Sequence, residues 1–455
     1  MSRLKIKLPQ EHLKVHQLPT ELEKLYDGIE DIQRGARFIQ IIRKGEYYAE
    51  FGGPKNDYIA YYWTEVEEDP NEITDGRVEV IGPEINEIAL ESSIPFGFHI
   101  RICGPGLTDV HVEYLERMAM VGTWEQEGLS GVGARGMIWM RVSKQHVNKH
   151  TWAKIAQATR AHLMTTCPLV EAIEVQIIVG APEVGGKELV NQVREEANKY
   201  WNALEAKYRT LDDMDVDRFY GCTICQTFAP THVCTITPTT IPYCGIFSYH
   251  GAKAAYELDP TGYTFECDPG EVLDPVMGHF AGVDKVVWEK SHNAIKKVNL
   301  RSCLKYPPTN CGCFEAIGFY IPELDGIGIV HRRYTGGTPL DANFAKLASF
   351  ITGGGQNHGF IGLSVRGLGV SNLLSGDGGW DRIVWMPEDL KKEAADYIPE
   401  EVYDKIITEK DSLNPQEIKE LLRQKKHPIV EKFWKNGEPQ PLEVPLPGHD
   451  WPDEA

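Results

Sequence analysis

The sequence has no apolar run approaching the ~18 residues of a membrane-spanning helix. The segment after Met1 reads SRLKIKLPQEHLKVHQLP, which is charged and lacks the apolar stretch of a secretory signal peptide. Basic residues are also in the minority, with 47 Lys and Arg against 66 Asp and Glu, a net charge of −19. This charge disfavours nucleic acid and anionic membranes as partners. The sequence therefore predicts a cytoplasmic protein.

The length of 455 residues predicts two or three domains, and the order of elements indicates a mixed α/β (α+β) fold. Residues 1–40 form a polar lead-in. An α/β domain follows at 41–211, a loop-rich cysteine domain at 212–436 and a proline-rich tail at 437–455. The acidic segment LDDMDVD marks the predicted junction of the two domains.

Apolar periodicity predicts the main elements of these domains. Strands are expected at 76–81, 96–103, 137–142, 170–180, 316–320 and 326–330. Helices are expected at 109–120, 147–164, 187–211, 341–350 and 415–423, with a short one around Leu22, Leu25 and Ile29. The strand, helix and strand between 137 and 180 predict a crossover unit with some parallel sheet.

Six of the ten cysteines lie between residues 221 and 314. They are Cys222, Cys225, Cys234, Cys244, Cys311 and Cys313. Gaps of two, eight and nine residues separate the first four, and turn residues such as Pro242 and Gly245 allow this loop to close around one metal centre. Four thiolates suit zinc or an iron–sulfur cluster. The gaps match neither a zinc ribbon nor a regular ferredoxin, so spacing leaves the metal open.

The tripeptide Cys311-Gly312-Cys313 predicts a second kind of site. Two thiolates and two deprotonated backbone nitrogens can surround one ion in a plane, which suits Ni(II) or Cu(II) and is poor for tetrahedral zinc. Gly312 lacks a Cβ and therefore permits a tight backbone approach to the ion. The thiolates keep lone pairs that can bridge to a second metal.

The spacing of all six cysteines resembles that of the acetyl-CoA synthase subunit of CO dehydrogenase/acetyl-CoA synthase. The stretches GLSGVGARGMIWMRVSK, HRRYTGGTP and FITGGGQNHGF also look familial, and the likeness covers about residues 46–389. It implies a [4Fe–4S] cluster held by Cys222, Cys225, Cys234 and Cys244, with Cys225 bridging to a proximal nickel. Cys311 and Cys313 would bridge the proximal to a distal nickel, whose other ligands would be the backbone nitrogens of Gly312 and Cys313.

The same resemblance implies a reaction and its partners. A methyl group from a corrinoid iron–sulfur protein, CO and coenzyme A would combine reversibly to give acetyl-CoA. CO dehydrogenase would supply the CO and a ferredoxin-type protein the electrons. Only a few dozen residues precede the matching region, so the chain looks like the short archaeal-type form without the N-terminal domain that contacts the dehydrogenase. An exposed thiolate–metal site implies an anaerobic, reducing setting.

Several other residues are candidates for the chemistry, each with a plainer alternative. The family places a phenylalanine at Phe228 beside the proximal nickel, where its ring could control access, although loop packing would also explain it. Arg135 and Trp139 could bind coenzyme A, as could Arg332 and Arg333 in HRRYTGGTP. A strand and turn without a binding role would explain Arg135 and Trp139 equally well.

His232, inside the cysteine loop, could donate to a ligand sulfur or merely satisfy loop backbone. The remaining cysteines, Cys103, Cys167, Cys267 and Cys303, have no ligand spacing and are expected to be small buried hydrophobes.

Three other interpretations compete with acetyl-CoA synthesis. A disulfide framework is disfavoured because the cysteines cluster as ligands and no secretory signal is evident. A structural zinc site would leave Cys311-Gly312-Cys313 unexplained. A non-catalytic iron–sulfur protein for electron transfer or binding would need four cysteines and no nickel. We also expect the two halves of the chain to open and close about the junction at 212–217, so that a corrinoid protein can reach the metals.

Overall fold

The structure is a computed structural model that describes residues 6–20, 45–53, 56, 60–124, 129–132, 139–245 and 247–443, without the side chains of 121–124, 129–132 and 208. The chain forms two compact units. Unit 1 comprises Met1–Thr210 and Ile246–Gly262, and unit 2 comprises Leu211–Gly245 and Tyr263–Ala455. The helix predicted around Leu22 and most of the predicted proline-rich tail lie outside the described residues.

Unit 1 contains two mixed sheets and four helices among the residues that the structure describes. Its strands are β1 (Leu13–Gln17), β2 (Tyr47–Gly52), β3 (Ala60–Val66), β4 (Arg77–Ile81), β5 (Ser92–Ile94), β6 (Phe96–Cys103), β7 (Leu129–Val132), β8 (Trp139–Ser143) and β9 (Ala172–Val179). Its helices are α1 (Val112–Trp124), α2 (Trp152–Thr166), α3 (Gly186–Tyr208) and α4 (Tyr249–Leu258). One sheet has the order β1-β4-β9-β6-β3 and the other β5-β2-β8-β7.

The predicted parallel pairing is present, but the predicted crossover unit is wrong. The parallel pairs are β3 with β6, β4 with β9, and β2 with β5. The strands on either side of α2, β8 and β9, lie in different sheets, because β9 is already paired on both edges by β4 and β6. In β8 the buried Met140 and Val142 alternate with half-buried neighbours, a pattern that fits a sheet with one covered face.

The amphipathic helix predicted at 187–211 is α3. Its buried residues Val190, Val193, Ala197 and Trp201 recur at steps of three and four, and they join one core cluster with sheet residues such as Trp63. The helix predicted at 147–164 instead begins at Trp152, because the side chain of Thr151 caps it by accepting a hydrogen bond from the Lys154 amide at 3.2 Å.

Unit 2 is built from small sheets and short helices. Its described strands are β10 (Phe219–Cys222), β11 (Cys234–Ile236), β12 (Thr264–Cys267), β13 (Val272–Asp274), β14 (His279–Phe280), β15 (Ala316–Ile321), β16 (Gly326–His331), β17 (Phe360–Leu363) and β18 (Ile383–Trp385). Its helices are α5 (Ala281–Lys290), α6 (Phe344–Ile351), α7 (Glu388–Glu393), α8 (Glu400–Tyr403), α9 (Pro415–Gln424) and α10 (Pro428–Lys432). The sheet orders are β11-β10-β12, β13-β14 and β17-β15-β16-β18.

Unit 2 confirms several predicted elements. The strands predicted at 316–320 and 326–330 are β15 and β16, an antiparallel pair in which Ala316 lies opposite His331. The helix predicted at 415–423 is α9, capped by Asn414. α6 begins at Phe344, three residues later than predicted, because Asn343 caps it through the Lys346 amide at 3.0 Å. The mixed α/β fold is confirmed, and no helix in the described ranges has both the length and the apolar character needed to cross a bilayer.

The acidic segment at the predicted junction is anchored inside unit 2 by a buried ion pair. The carboxylate of Asp213 is fully buried and lies 2.6 Å from Nη2 of Arg301. It also accepts a hydrogen bond from the Thr239 amide at 2.9 Å. Asp213 thus ties the start of unit 2 to two later parts of the same unit.

Replacing Asp213 by alanine should destabilise unit 2 strongly. Removal of one partner leaves the Arg301 charge buried and uncompensated, which costs about 3–5 kcal/mol. The matched control is Asp268→Ala, which removes an exposed pair with Arg218 at 2.7 Å and should cost at most about 1 kcal/mol. Denaturant unfolding followed by circular dichroism measures both, and equal losses would contradict the prediction.

Candidate metal centre

The short sheet at the start of unit 2 places the first cysteines side by side. β10 and β11 pair antiparallel, with Cys222 directly opposite Cys234. Directly opposed residues project from the same face of a sheet, with Cβ atoms about 5 Å apart. The strand pairing therefore brings together two cysteines that are separated by eleven residues of sequence.

Cys225 follows β10 in a short 3₁₀ turn, Ile224–Thr227, and meets the distant tripeptide there. Its sulfur lies within 4.8 Å of the Cys311 sulfur. The neighbouring thiols of Cys311 and Cys313, together with burial, raise the pKa of Cys225 well above its ordinary value. The structure thus brings together three of the predicted ligands from two distant segments.

The other cysteines lie within electrostatic reach of this group. Burial raises the pKa of Cys234 well above its ordinary value, and the neighbouring thiols of Cys311, Cys244 and Cys222 raise it further. The backbone amide of Tyr243 opposes this effect by donating to the Cys234 sulfur. All six predicted cysteines therefore belong to one connected cluster.

The Cys311-Gly312-Cys313 tripeptide is held by a glycine-rich loop and by its own sulfur. The Cys313 amide lies 3.3 Å from Sγ of Cys311 and donates to it. The Cys311 carbonyl accepts a hydrogen bond from the Gly353 amide at 3.3 Å. Gly312 has φ +136°, and a Cβ added there would lie 2.8 Å from Cγ2 of Thr352 and 3.6 Å from the Phe228 ring. Glycine is therefore required both by the backbone conformation and by the close approach of Thr352.

His232 is completely buried and contacts a cluster sulfur. Its Nε2 lies 3.0 Å from Sγ of Cys234, and its Nδ1 lies 3.0 Å from the Thr309 hydroxyl. The same hydroxyl oxygen lies 3.1 Å from the Val233 amide and 3.4 Å from the Val233 carbonyl. In the tautomer that carries its hydrogen on Nε2, the ring donates to the sulfur. Burial lowers the pKa of His232 to about 4, which keeps the ring neutral.

This arrangement fits a soft metal centre. The ligand atoms of Cys225, His232 and Cys311 all lie within 4.8 Å of one another, so this group could hold a metal ion. The six cysteines are free thiols, and for Cys225 and Cys234 the neighbouring thiols and burial raise the pKa, which disfavours their thiolate forms. A cation among them removes that penalty, and thiolates prefer soft or borderline metals.

The other predicted site residues lie partly beside the tripeptide and partly elsewhere in the chain. Phe228 lies next to Gly312, as described above. Arg332 donates to the carbonyls of Gly312 and Phe314 at 2.6 and 2.9 Å, and Arg333 is paired with Glu393 and contacts His331. Trp139 belongs to unit 1, where the Arg141 guanidinium lies 4.2 Å from its ring centroid. Arg135 lies outside the described residues.

Sequence reasoning missed supporting contacts around the cysteines. Thr309, which contacts His232, and Thr352, which lies beside Gly312, were not singled out, although FITGGGQNHGF, which contains Thr352, was part of the resemblance. Consecutive glycines 40 residues after the cysteines were the available signal, because they permit the close backbone approach seen between Gly353 and Cys311.

Comparison with known proteins agrees with the resemblance. Residues 32–184 match the family model of the CO dehydrogenase/acetyl-CoA synthase complex beta subunit, and residues 201–433 match the family model of the C-terminal region of the ACS/CODH beta subunit. The acetyl-CoA decarbonylase/synthase complex subunit beta of Methanopyrus kandleri is 39% identical over 397 residues, which is 86% of this chain and 82% of that protein.

Two further relatives give the same result. Subunit beta 2 of the complex from Methanocaldococcus jannaschii is 40% identical over 86% of this chain and 81% of its own length. Subunit beta from Methanothermobacter thermautotrophicus is 36% identical over 91% of this chain and 86% of its own length. The family expected from the cysteine spacing is therefore confirmed, and the chain belongs to the beta subunits of the CO dehydrogenase/acetyl-CoA synthase complex.

Proposed function

We propose that this protein is the subunit that joins a methyl group, CO and coenzyme A into acetyl-CoA, reversibly, at a nickel–nickel–[4Fe–4S] centre. The observation that supports this most directly is the meeting of Cys225 with the tripeptide: its sulfur lies within 4.8 Å of the Cys311 sulfur, and the Cys313 thiol is also a neighbour. Three thiolates that converge in this way can share one metal ion and still leave coordination positions open to substrates.

In the proposed centre, Cys222, Cys225, Cys234 and Cys244 hold the iron–sulfur cluster, while Cys311, Gly312 and Cys313 provide the sulfur and nitrogen ligands of nickel. When bound, this centre would supply the electron-rich metal at which the carbon–carbon and carbon–sulfur bonds are made.

The surrounding residues prepare the site. Neutral His232 donates to the Cys234 sulfur and so stabilises its thiolate form without adding a charge. The ring of Phe228, close to Gly312, restricts the space available to small molecules at the tripeptide. Arg135, Trp139, Arg332 and Arg333 remain candidate contacts for coenzyme A.

The relatives are named as subunits of a decarbonylase/synthase complex, which supports a role with protein partners. We propose a corrinoid iron–sulfur protein as methyl donor, CO dehydrogenase as CO source and a ferredoxin-type reductant, in an anaerobic cytoplasm. Thiolates exposed to oxygen are oxidised stepwise, so activity requires reducing conditions.

Metal content tests the proposal directly. Protein purified without oxygen and incubated with nickel should contain about two nickel ions for every four irons by elemental analysis. Cys313→Ser should lose nickel and keep its iron, because serine replaces a soft bridging donor by a hard one outside the iron ligands. The purified protein should also form acetyl-CoA from a methylated corrinoid protein, CO and coenzyme A.

The matched control is Cys303→Ser, at a buried cysteine of the same unit whose backbone amide donates to the Asp377 carboxylate at 2.6 Å. It should retain wild-type nickel and iron. Iron without nickel in the wild type would instead support the electron-transfer alternative. Zinc alone would support a structural site and would refute the proposal.

A further inference from the structure

The strand pairing of unit 2 places one arginine next to the tripeptide Cys311-Gly312-Cys313. Arg332 follows β16, and its amide donates to the Glu315 carbonyl at 2.9 Å, extending the pairing with β15. Glu315 lies two residues after Cys313. The register of this pair therefore sets the side chain of Arg332 beside the tripeptide.

The guanidinium group of Arg332 donates hydrogen bonds to two backbone carbonyls in and next to the tripeptide. Nη2 lies 2.6 Å from the Gly312 oxygen and 2.9 Å from the Phe314 oxygen, and Nε lies 3.2 Å from the latter. The group also stands over two aromatic rings, 5.6 Å from the centroid of Phe314 and 5.0 Å from that of Phe344. Rings and carbonyls together fix the guanidinium plane.

Holding the Gly312 oxygen also fixes the nitrogen of the same peptide. The Gly312–Cys313 peptide is planar and trans, so its oxygen and its N–H point in opposite directions. With the oxygen directed to Arg332, the Cys313 nitrogen faces Sγ of Cys311 at 3.3 Å. The preceding peptide is held similarly, because the Cys311 oxygen accepts from the Gly353 amide.

We propose that Arg332 is a positioning residue of the metal centre, which orients the Gly312–Cys313 peptide so that its nitrogen can bind the distal nickel. This inference rests on the proposed function. Binding of nickel to this nitrogen would replace the N–H bond and release its proton to solvent. The negative charge left on the peptide is shared with its carbonyl oxygen, and the Arg332 cation lies against that oxygen. The guanidinium thus favours the nickel-bound form by geometry and by charge.

Nickel titration of iron-loaded protein, purified without oxygen, tests the inference. Arg332→Gln should weaken the binding of one nickel by about 10- to 100-fold and leave the iron content unchanged. Arg332→Lys keeps a positive donor for the Gly312 oxygen and should recover part of the affinity. Nickel K-edge absorption should show the loss of the planar nickel in Arg332→Gln and its partial return in Arg332→Lys.

Arg423→Gln is the matched control. Arg423 also donates from Nε and Nη2 to one carbonyl, that of Gly437, at 3.2 and 2.8 Å, and stands over the Trp434 ring. This control should bind nickel as the wild type does. Wild-type nickel affinity in Arg332→Gln would overturn the inference, as would equal loss of iron and nickel in both Arg332 variants. The wild-type titration separately tests the proposed function, since absence of nickel there refutes that function.

Discussion

Replacing Cys225 by serine should abolish acetyl-CoA formation and remove nickel from the purified protein. Cys225 is buried, its sulfur lies within 4.8 Å of the Cys311 sulfur, and the Cys313 thiol is also a neighbour. Serine retains the size of the side chain but offers a hard oxygen in place of a soft, bridging sulfur. Mutation of a residue that only contacts a metal ligand typically costs about 10- to 100-fold in metal affinity, so loss of the proposed ligand Cys225 itself should exceed that range. Elemental analysis and the acetyl-CoA assay measure the two effects.

The same substitution at Cys267 separates ligand loss from loss of a buried thiol. Cys267 is a buried cysteine of β12 in the same unit, and its thiol lies 3.6 Å from the Asp268 carbonyl. Cys267→Ser should retain metal and activity. If Cys225→Ser kept wild-type nickel, the assignment of Cys225 as a bridging ligand would be wrong.

Replacing Gly312 by alanine should displace the tripeptide and eject nickel, while the iron content stays near the wild-type value. Two penalties act at this position. The φ of +136° is strained for any residue with a Cβ, at a cost of about 1–3 kcal/mol. The new Cβ would also lie 2.8 Å from Cγ2 of Thr352, a distance at which one group must move. We expect at least a tenfold loss of nickel affinity, measured by titration with elemental analysis.

A further variant divides that loss between strain and contact. The double variant Gly312→Ala/Thr352→Ser keeps the backbone strain but removes the clashing methyl group, and should recover part of the nickel. No recovery in the double variant would show that backbone strain, rather than the contact with Thr352, governs the site.

The grouping of the cysteines could be anticipated from the sequence because they recur at short local spacings. Cys222 and Cys225 flank one turn, and Cys311 and Cys313 flank one glycine. Each pair can therefore be recognised as a candidate ligand pair without knowledge of the fold. The long helix α3 could be predicted for the same reason, because the 3.6-residue period of its apolar residues is a local property of the sequence.

The supporting contacts could not be anticipated because they depend on long-range pairing. Arg332 in HRRYTGGTP was interpreted as a candidate anion site, and its contact with Gly312 follows only from the register of β15 with β16. The approach of Thr352 to Gly312 joins residues 40 positions apart. The pairing of β8 with β2 and β7 rather than with β9 is likewise decided by which sheet edges remain available.

The return of residues 246–262 to unit 1 affects the order in which the protein can fold during synthesis. α4 lies in this segment, and its capping residue Ser248 donates its hydroxyl to the buried carboxylate of Glu113 at 2.8 Å. Cys222 and Cys244 therefore leave the ribosome before the segment that completes the core of unit 1. Cys311 leaves the ribosome after that segment. A fragment that ends at Thr210 would leave Glu113 without this partner, so no single cut yields two complete units.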